Sequence, residues 1–197
     1  CKFGFETALH RLELQMPIEL VDDGTYRIKI DKPIITRTVR TEEVHALSEM
    51  WNLTGQEARQ RALRRYFDEQ QNGTQRGLVA DFNGTAIGQL WIRLKHIDPA
   101  IEAGQSVGYI HTLVVMPEFR RLGVAEGLIR TASVLAQEHG RTHLTIGVDR
   151  ANNTARRLYM KWGFERYHES FDLRGDLVFL RRPVFESEGA RATPVLP

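Results

Sequence analysis

The hydrophobic positions of this chain follow two spacings, and the points where one gives way to the other mark its elements. Apolar residues first gather in two short runs, Gln75–Phe82 and Thr85–Leu94, separated by Asn83-Gly84. Asn-Gly between such runs is a hairpin signal, because both residues tolerate the positive φ of a two-residue turn. Within the second run Leu90, Ile92 and Leu94 alternate with Trp91 and Arg93, as a sheet requires. Tyr109 to Val115 is again rich in β-branched and apolar residues, and Pro117 ends that strand because it cannot donate to a ladder. The period then lengthens. Val124, Ala125, Leu128, Ile129, Ala132 and Leu135 recur at helical intervals, with Gly140 placed as a C-cap. Leu144–Val148 alternates once more. Asn152–Trp162 reads as a helix with Ala155, Leu158, Tyr159 and Trp162 on one face and Gly163 at its end. Strand, helix and strand in this order imply a parallel pair joined by a right-handed crossover.

The flanking stretches extend the pattern. Pro33–Arg40 is a strand candidate, and Thr41 before Glu42 and Glu43 reads as a helix start, with acids at the positive end of the dipole. Val44, Leu47 and Met50 give that helix its apolar side. Thr54 and Glu57 stand at capping-box spacing before a second helix, whose apolar face is Ala58, Ala62, Leu63, Tyr66 and Phe67. His96–Gln105 reads as a loop or extended turn. Phe164–Asp172 and Asp176–Arg182 form a last hairpin over Arg174-Gly175. Residues 1–31 read as an attachment to the main domain, residues 32–183. In the attachment Glu13–Leu20 and Thr25–Ile30 either pair across Asp22-Asp23-Gly24 or form an extended arm. Residues 184–197 are expected to be a flexible tail.

Composition narrows the class. At 197 residues, 42% hydrophobic and 26% charged, the chain suits one soluble domain with a sizeable core. A net charge of only +2 weighs against a dedicated nucleic-acid binder. Arg59, Arg61, Arg64 and Arg65 lie among acids and read as a solvated helix face. No apolar run reaches the ~18 residues of a membrane span, and no signal-peptide pattern opens the chain. The missing initial Met implies a start inside the encoded protein or after processing. The single cysteine, Cys1, can form no internal disulfide and makes a poor nucleophile at a loose terminus. The expected setting is cytoplasmic, without nucleic-acid or membrane partners. The Asn-x-Thr sequons at Asn52, Asn72, Asn83 and Asn152 are then chance.

Chemistry enters at the loop between Pro117 and Glu126. Arg120 to Ala125 has the form Arg-x-x-Gly-x-Ala and runs directly into a helix. The first amides of a helix have no internal partners, and with the dipole they form an anion site. Gly123 lets a phosphate approach the backbone, while Arg120 and Arg121 add positive charge. The stretch reads as a pyrophosphate cradle; the alternative is an ordinary strand-to-helix turn. It is neither a P-loop nor a dinucleotide fingerprint: Gly-x-x-x-x-Gly-Lys-Ser/Thr and Gly-x-Gly-x-x-Gly are both absent.

A second motif makes the reading specific. Val148-Asp149-Arg150-Ala151-Asn152-Asn153-Thr154-Ala155 leads into Leu158-Tyr159 and Gly163-Phe164. With Pro117, Arg120, Gly123 and Ala125 in order before it, the stretch from Pro33 to Pro183 resembles the GNAT superfamily of acetyl-CoA-dependent N-acyltransferases. The resemblance implies an α/β fold: a mixed six- to seven-stranded sheet flanked by helices, with two central strands splayed around the pantetheine arm of acetyl-CoA. It implies that backbone groups of Leu113, Val114 and Val115 meet that arm. The amides of Arg121, Leu122, Gly123, Val124, Ala125 and Glu126, beside Arg120, would hold the pyrophosphate. Asn152, with Ala155 beside it, would contact the pantetheine or fix the loop after the second strand. Tyr159 would face the thioester sulfur.

The implied activity is direct transfer of an acetyl group from acetyl-CoA to an amine. The alternative is a non-catalytic acyl-CoA-binding regulatory module. No metal is implied, and a homodimer is admitted. A lysine-like amine is almost wholly protonated at pH 7, so a base is useful. Some members carry a glutamate on the strand where this chain has Tyr109-Ile110-His111. His111 is the nearest titratable group there, with Glu102, Glu118 and Asp149 as rivals. Period-two alternation would put Tyr109, His111 and Leu113 on one face. The acceptor stays open between protein amino termini, small-molecule amines, amino acids and aminoglycosides.

Overall fold

The computed structural model describes residues 18–21, 25–28, 33–50, 56–172 and 175–184. It divides into two compact units, residues 1–33 and 34–197. In the first, β1 (Ile18–Val21) pairs antiparallel with β2 (Thr25–Ile28), from Ile18 opposite Ile28 to Val21 opposite Thr25. The remaining residues of the sequence-predicted hairpin, Thr54 with its proposed cap, and the tail beyond Val184 lie outside the described residues.

The second unit is built on a seven-stranded mixed sheet, as the resemblance implied. Its strands are β3 (Ile35–Thr38), β4 (Gln75–Phe82), β5 (Thr85–Arg93), β6 (Val107–Val115), β7 (His143–Asp149), β8 (Glu165–Asp172) and β9 (Gly175–Pro183). They lie in the order β3-β4-β5-β6-β7-β9-β8. Only β6 and β7 run parallel among these neighbours. The helices are α1 (Val44–Met50), α2 (Gln56–Gln71), the short α3 (Pro99–Glu102), α4 (Val124–Glu138) and α5 (Asn153–Lys161). None of the described helices is long and apolar enough to cross a membrane.

Local chemistry sets most of these boundaries. Asn83 at φ 54° and Gly84 at φ 83° make the tight β4–β5 turn that Asn-Gly predicts. The helical start at Thr41 is a single 3-10 turn, Thr41–Glu43, which leads into α1. Glu43 turns back to accept from the Arg40 amide at 2.7 Å. The Arg37 guanidinium bridges Glu43 at 2.5 Å and Asp81 at 2.8 Å, tying β3 to the helix start and to β4. Within the predicted 96–105 loop, Asp98 caps α3 by accepting from the Ala100 amide at 2.9 Å.

Both faces of the sheet are covered, so alternation does not sort buried from exposed on the central strands. Leu90, Trp91, Ile92 and Leu94 are all fully buried. Trp91 joins Val39, Leu47, Leu63, Tyr66, Phe67 and Val79 in the core under α1 and α2. Ile92 points the other way, toward α4, where a Cβ on Gly108 would meet both Ile92 and Ala136. Gly77 makes room for Trp91: a Cβ there would lie 2.6 Å from Val39 Cγ2 and 2.8 Å from Trp91 Cη2. Two predicted faces need correction. Ala58 is exposed on α2 while Leu63, Tyr66 and Phe67 are buried. Leu158 is 42% exposed on α5, where Tyr159 alone is fully packed.

Candidate active site

The site begins where the parallel pair stops pairing. Val107–Ile110 of β6 matches His143–Ile146 of β7 residue for residue. Beyond Ile110, β6 runs five residues further without β7, while Gly147–Asp149 of β7 pair only with β9. A bulge against β5 stands where the strands part. Gln89 faces Val114 and Trp91 faces His111, so Thr112 and Leu113 together stand opposite Leu90. Thr112 takes φ 54°, and a bulge of this kind bends and twists its strand. The extra residue also breaks the period-two reading. Tyr109, His111 and Val114 lie opposite Arg93, Trp91 and Gln89, and Leu113 leaves that face.

The junction from β6 to α4 comes next. Pro117–Phe119 forms a 3-10 turn, and Gly123 is the N-cap of α4 at φ 77°. Arg121 is also left-handed, at φ 64°. The Arg120 amide still bonds Pro117, and the Gly127 amide returns to Gly123 at 2.9 Å. Among the described residues, the six amides from Arg121 to Glu126 have no acceptor. Nothing lies within 4 Å of where a Gly123 Cβ would sit, so the backbone is open to a ligand. Arg120 folds back, its Nε donating to the Val115 carbonyl at 3.2 Å. This geometry fits a pyrophosphate: consecutive free amides, a helix N-terminus and no side chain in the way.

The second junction, from β7 to α5, lies at the same end of the sheet. Asp149 accepts from the Ala151 amide at 2.7 Å, and Asn152 caps α5 by accepting from the Ala155 amide at 3.1 Å. The Asn152 carbonyl-side oxygen is thus used by the fold itself. Tyr159 lies two turns along α5, its ring packed against Trp162 and Phe164. Its hydroxyl has no hydrogen-bond partner among the described residues. Burial pushes its pKa up to about 12, so the hydroxyl stays protonated throughout the ordinary pH range.

His111 is the first β6 residue past the last β7 pair. Its Nε2 lies 2.9 Å from Gln75 Oε1, and its Nδ1 lies 3.1 Å from the Thr112 hydroxyl. The Gln75 amide nitrogen donates to the Tyr66 carbonyl at 3.2 Å, which turns Oε1 toward the imidazole. Nε2 therefore carries the proton, and the Nδ1 lone pair accepts from Thr112. Tyr66 packs edge-on at 4.8 Å. Desolvation, with Arg93 and Arg65 nearby, lowers the His111 pKa to about 3. Burial among aromatic rings and cations disfavours the imidazolium, so the ring is neutral near pH 7. Gln75, Thr112 and Tyr66 had no signal of their own in the sequence, since their roles depend on pairing distant strands.

The rival carboxylates stand in different places. Asp149 is committed to its turn. Glu118 lies in the β6–α4 loop with one carboxylate oxygen out of solvent and unpartnered among the described residues. Glu102 ends α3, half-buried. No group of three or more His, Cys, Asp or Glu gathers to hold a metal among the described residues. Arg61 and Arg65 are exposed and pair with Glu57 and Glu69 along α2.

A seven-stranded mixed sheet whose parallel pair parts beside an open helix N-terminus is the arrangement that the GNAT resemblance implies. The sequence profile of the acetyltransferase (GNAT) family matches residues 44–164, and the chain belongs to that family. It is 34% identical over 89 residues to an uncharacterized N-acetyltransferase of Archaeoglobus fulgidus. That overlap takes in 45% of this chain and 59% of the relative, so the chain spans about three fifths of its length. Among solved structures it resembles an N-acetyltransferase from Staphylococcus aureus Mu50, with TM-score 0.62 and 19% identity over 78% of this chain and 100% of that one. The Salmonella typhimurium protein yncA, solved with its cofactor acetyl-CoA, matches with TM-score 0.60 and 18% identity over 82% of this chain and 100% of its own.

Proposed function

We propose that this chain moves an acetyl group from acetyl-CoA to a primary amine by direct attack. The observation that carries the reading is the run of six unpaired amides, Arg121 to Glu126, opening the helix that follows the parted strand β6. In this reading those amides bind the pyrophosphate, and Arg120 and Arg121 add charge. The backbone of Leu113, Val114 and Val115 flanks the pantetheine arm along the unpaired edge of β6. Asn152 and Ala155 hold the opposite wall by fixing the start of α5.

The amine nitrogen bonds to the thioester carbonyl carbon, the carbon–sulfur bond breaks, and nitrogen loses one proton as sulfur gains one. Tyr159 serves the leaving sulfur. A thiol has a pKa near ~8.5, so a hydroxyl at about 12 donates a hydrogen bond to the thiolate and keeps its own proton, and the thiolate takes its proton from solvent, which also receives the one that nitrogen loses. His111, neutral and bonded at both nitrogens, is a wall of the site rather than its base. The amine then enters already neutral, or loses its proton to solvent.

The test is thiol release from acetyl-CoA over a panel of protein amino termini, small amines, amino acids and aminoglycosides. Release with at least one class is expected. Tyr159→Phe should lower turnover ~10–10³-fold, in the range of single-donor losses, with cofactor affinity and melting temperature little changed. Coenzyme A binding without thiol release on any amine would leave only the non-catalytic reading. Full turnover in the Phe variant would return Tyr159 to packing alone.

A further inference from the structure

The helix α5 carries two stripes. Asn152, Ala155 and Tyr159 belong to the one that serves the proposed acetyl-CoA site. Asn153, Arg156, Arg157 and Met160 follow at i, i+3, i+4 and i+7 and form another. This second stripe borders a half-open cavity of about 420 Å³, bounded also by Arg166 of β8 and by Val178 and Leu180 of β9. That volume falls within the range of small-ligand sites. Val178 and Leu180 close the base of the cavity and are fully buried, so the apolar surface that a ligand would meet is chiefly that of Met160. Met160, 59% exposed, stands at its rim.

Charge in the cavity is of one sign. Among the described residues three guanidinium groups line it and no carboxylate does. Arg166 is paired with Glu169, which also accepts from Arg150. Arg156 bonds the Asn153 side-chain oxygen through one terminal nitrogen. Its Nε is out of solvent and has no acceptor among the described residues. Arg157 forms no ion pair there. Two guanidinium groups thus face the cavity without an acid to neutralise them, and planar guanidinium forks suit phosphate oxygens.

We propose that this cavity is a second binding site, for a small organic phosphate monoester with an apolar body. The dianionic head meets Arg156 and Arg157, and the apolar part lies on the exposed Met160 side chain. The site is separate from the proposed acetyl-CoA cleft, because the two stripes face different sides of α5.

The experiment titrates phenyl phosphate into the full chain carrying ¹³C-methyl methionine. A Met160→Leu spectrum assigns the Met160 methyl, one of four methionine signals. Saturable movement of that signal is expected, with inorganic phosphate at least tenfold weaker because it lacks the apolar part. Arg157→Ala should weaken phenyl phosphate at least tenfold and leave coenzyme A affinity unchanged; Arg157 is exposed, so the variant keeps the fold. Saturating coenzyme A should leave the phenyl phosphate titration in place. The proposal is overturned if coenzyme A displaces phenyl phosphate, if Arg157→Ala and Arg156→Gln both bind it as the natural chain does, or if the Met160 signal never saturates.

Discussion

Two strand-to-helix junctions leave the same end of the sheet, and they treat their backbone amides in opposite ways. At the β7–α5 junction the chain satisfies itself. Arg150 donates to the Asp176 carbonyl, Asn152 to the Asp149 carbonyl and Asn153 to the Ala151 carbonyl, while Ala151 and Ala155 donate to the side chains of Asp149 and Asn152. Thr154 is the exception. At the β6–α4 junction six amides in a row have no such partner among the described residues. The difference lies in side chains. Asp149 and Asn152 carry oxygens that reach back to nearby amides. Gly123, at the matching N-cap, carries none. A helix start capped by its own side chain contributes stability. One left uncapped by glycine, at some cost to the fold, keeps its amides open, and in the proposed function they take the pyrophosphate.

The largest effect should come from closing the open junction. Gly123→Val places a branched side chain where nothing now lies within 4 Å. It should weaken coenzyme A binding more than tenfold, that is by at least ~1.4 kcal/mol. Position 123 sits at φ 77°, so any side chain there also costs the fold about 1–2 kcal/mol. Gly123→Ala shares that strain but blocks less space, and it serves as the control. Calorimetry should rank the natural chain tightest, then Ala, then Val. Equal affinity for the Ala and Val variants would mean that the open backbone is not where the anion sits.

These features differ in how far the sequence revealed them. The two junctions were legible because their chemistry is local: Pro117, Gly123 and Asn152 act within three or four residues of themselves. The Asn83-Gly84 turn and the glycines that end α4 and α5 were legible for the same reason. The bulge at Thr112 was not. Threonine disfavours positive φ, and only the register of β5 against β6 shows that two residues must face Leu90. The setting of His111 was hidden likewise, since Gln75 lies 36 residues away and meets it across two strand pairings. Burial of Trp91 and Ile92 on opposite sides of one strand followed from helices on both faces, which no alternation within β5 can report. The mixed sheet itself came from the family resemblance, not from periodicity, and the order of its strands is read from the structure alone.

The next effect separates the parted stretch of β6 from the paired one through pH. His111 opens the parted stretch, and its folded pKa of about 3 lies below the unfolded value near ~6.5. The unfolded chain therefore binds a proton first as pH falls. The stabilisation from a neutral His111 is complete above pH ~6.5 and is lost on acidification toward the folded pKa, by at most ~1.4 kcal/mol per unit. His111→Gln removes the titration and keeps hydrogen-bonding capacity. Its unfolding free energy should fall less steeply than that of the natural chain between pH 6.5 and 4.5. The rising limb of kcat/KM should track the pKa of the free amine in both proteins. A limb centred near pH 6.5 that disappears in His111→Gln would restore His111 as the base.

The smallest effect tests the self-satisfied junction. Asn152→Ala removes the oxygen that accepts from the Ala155 amide at 3.1 Å. Loss of such a cap typically costs about 1 kcal/mol. The cost should appear in denaturant midpoint with little change in slope, because the amount of surface exposed on unfolding is unchanged. Coenzyme A affinity should fall only two- to threefold, since α5 would still form and Tyr159 would still pack on Trp162 and Phe164. Asn152→Asp distinguishes capping from ligand contact: aspartate accepts from the same amide and sits favourably at a helix N-terminus, but it offers no amide donor. If Asn152 acts by capping, the Asp variant should recover the stability and most of the affinity. If the Asp variant is stable yet binds coenzyme A more than tenfold more weakly, the side-chain amide of Asn152 touches the ligand itself, and the two junctions then share the work of binding.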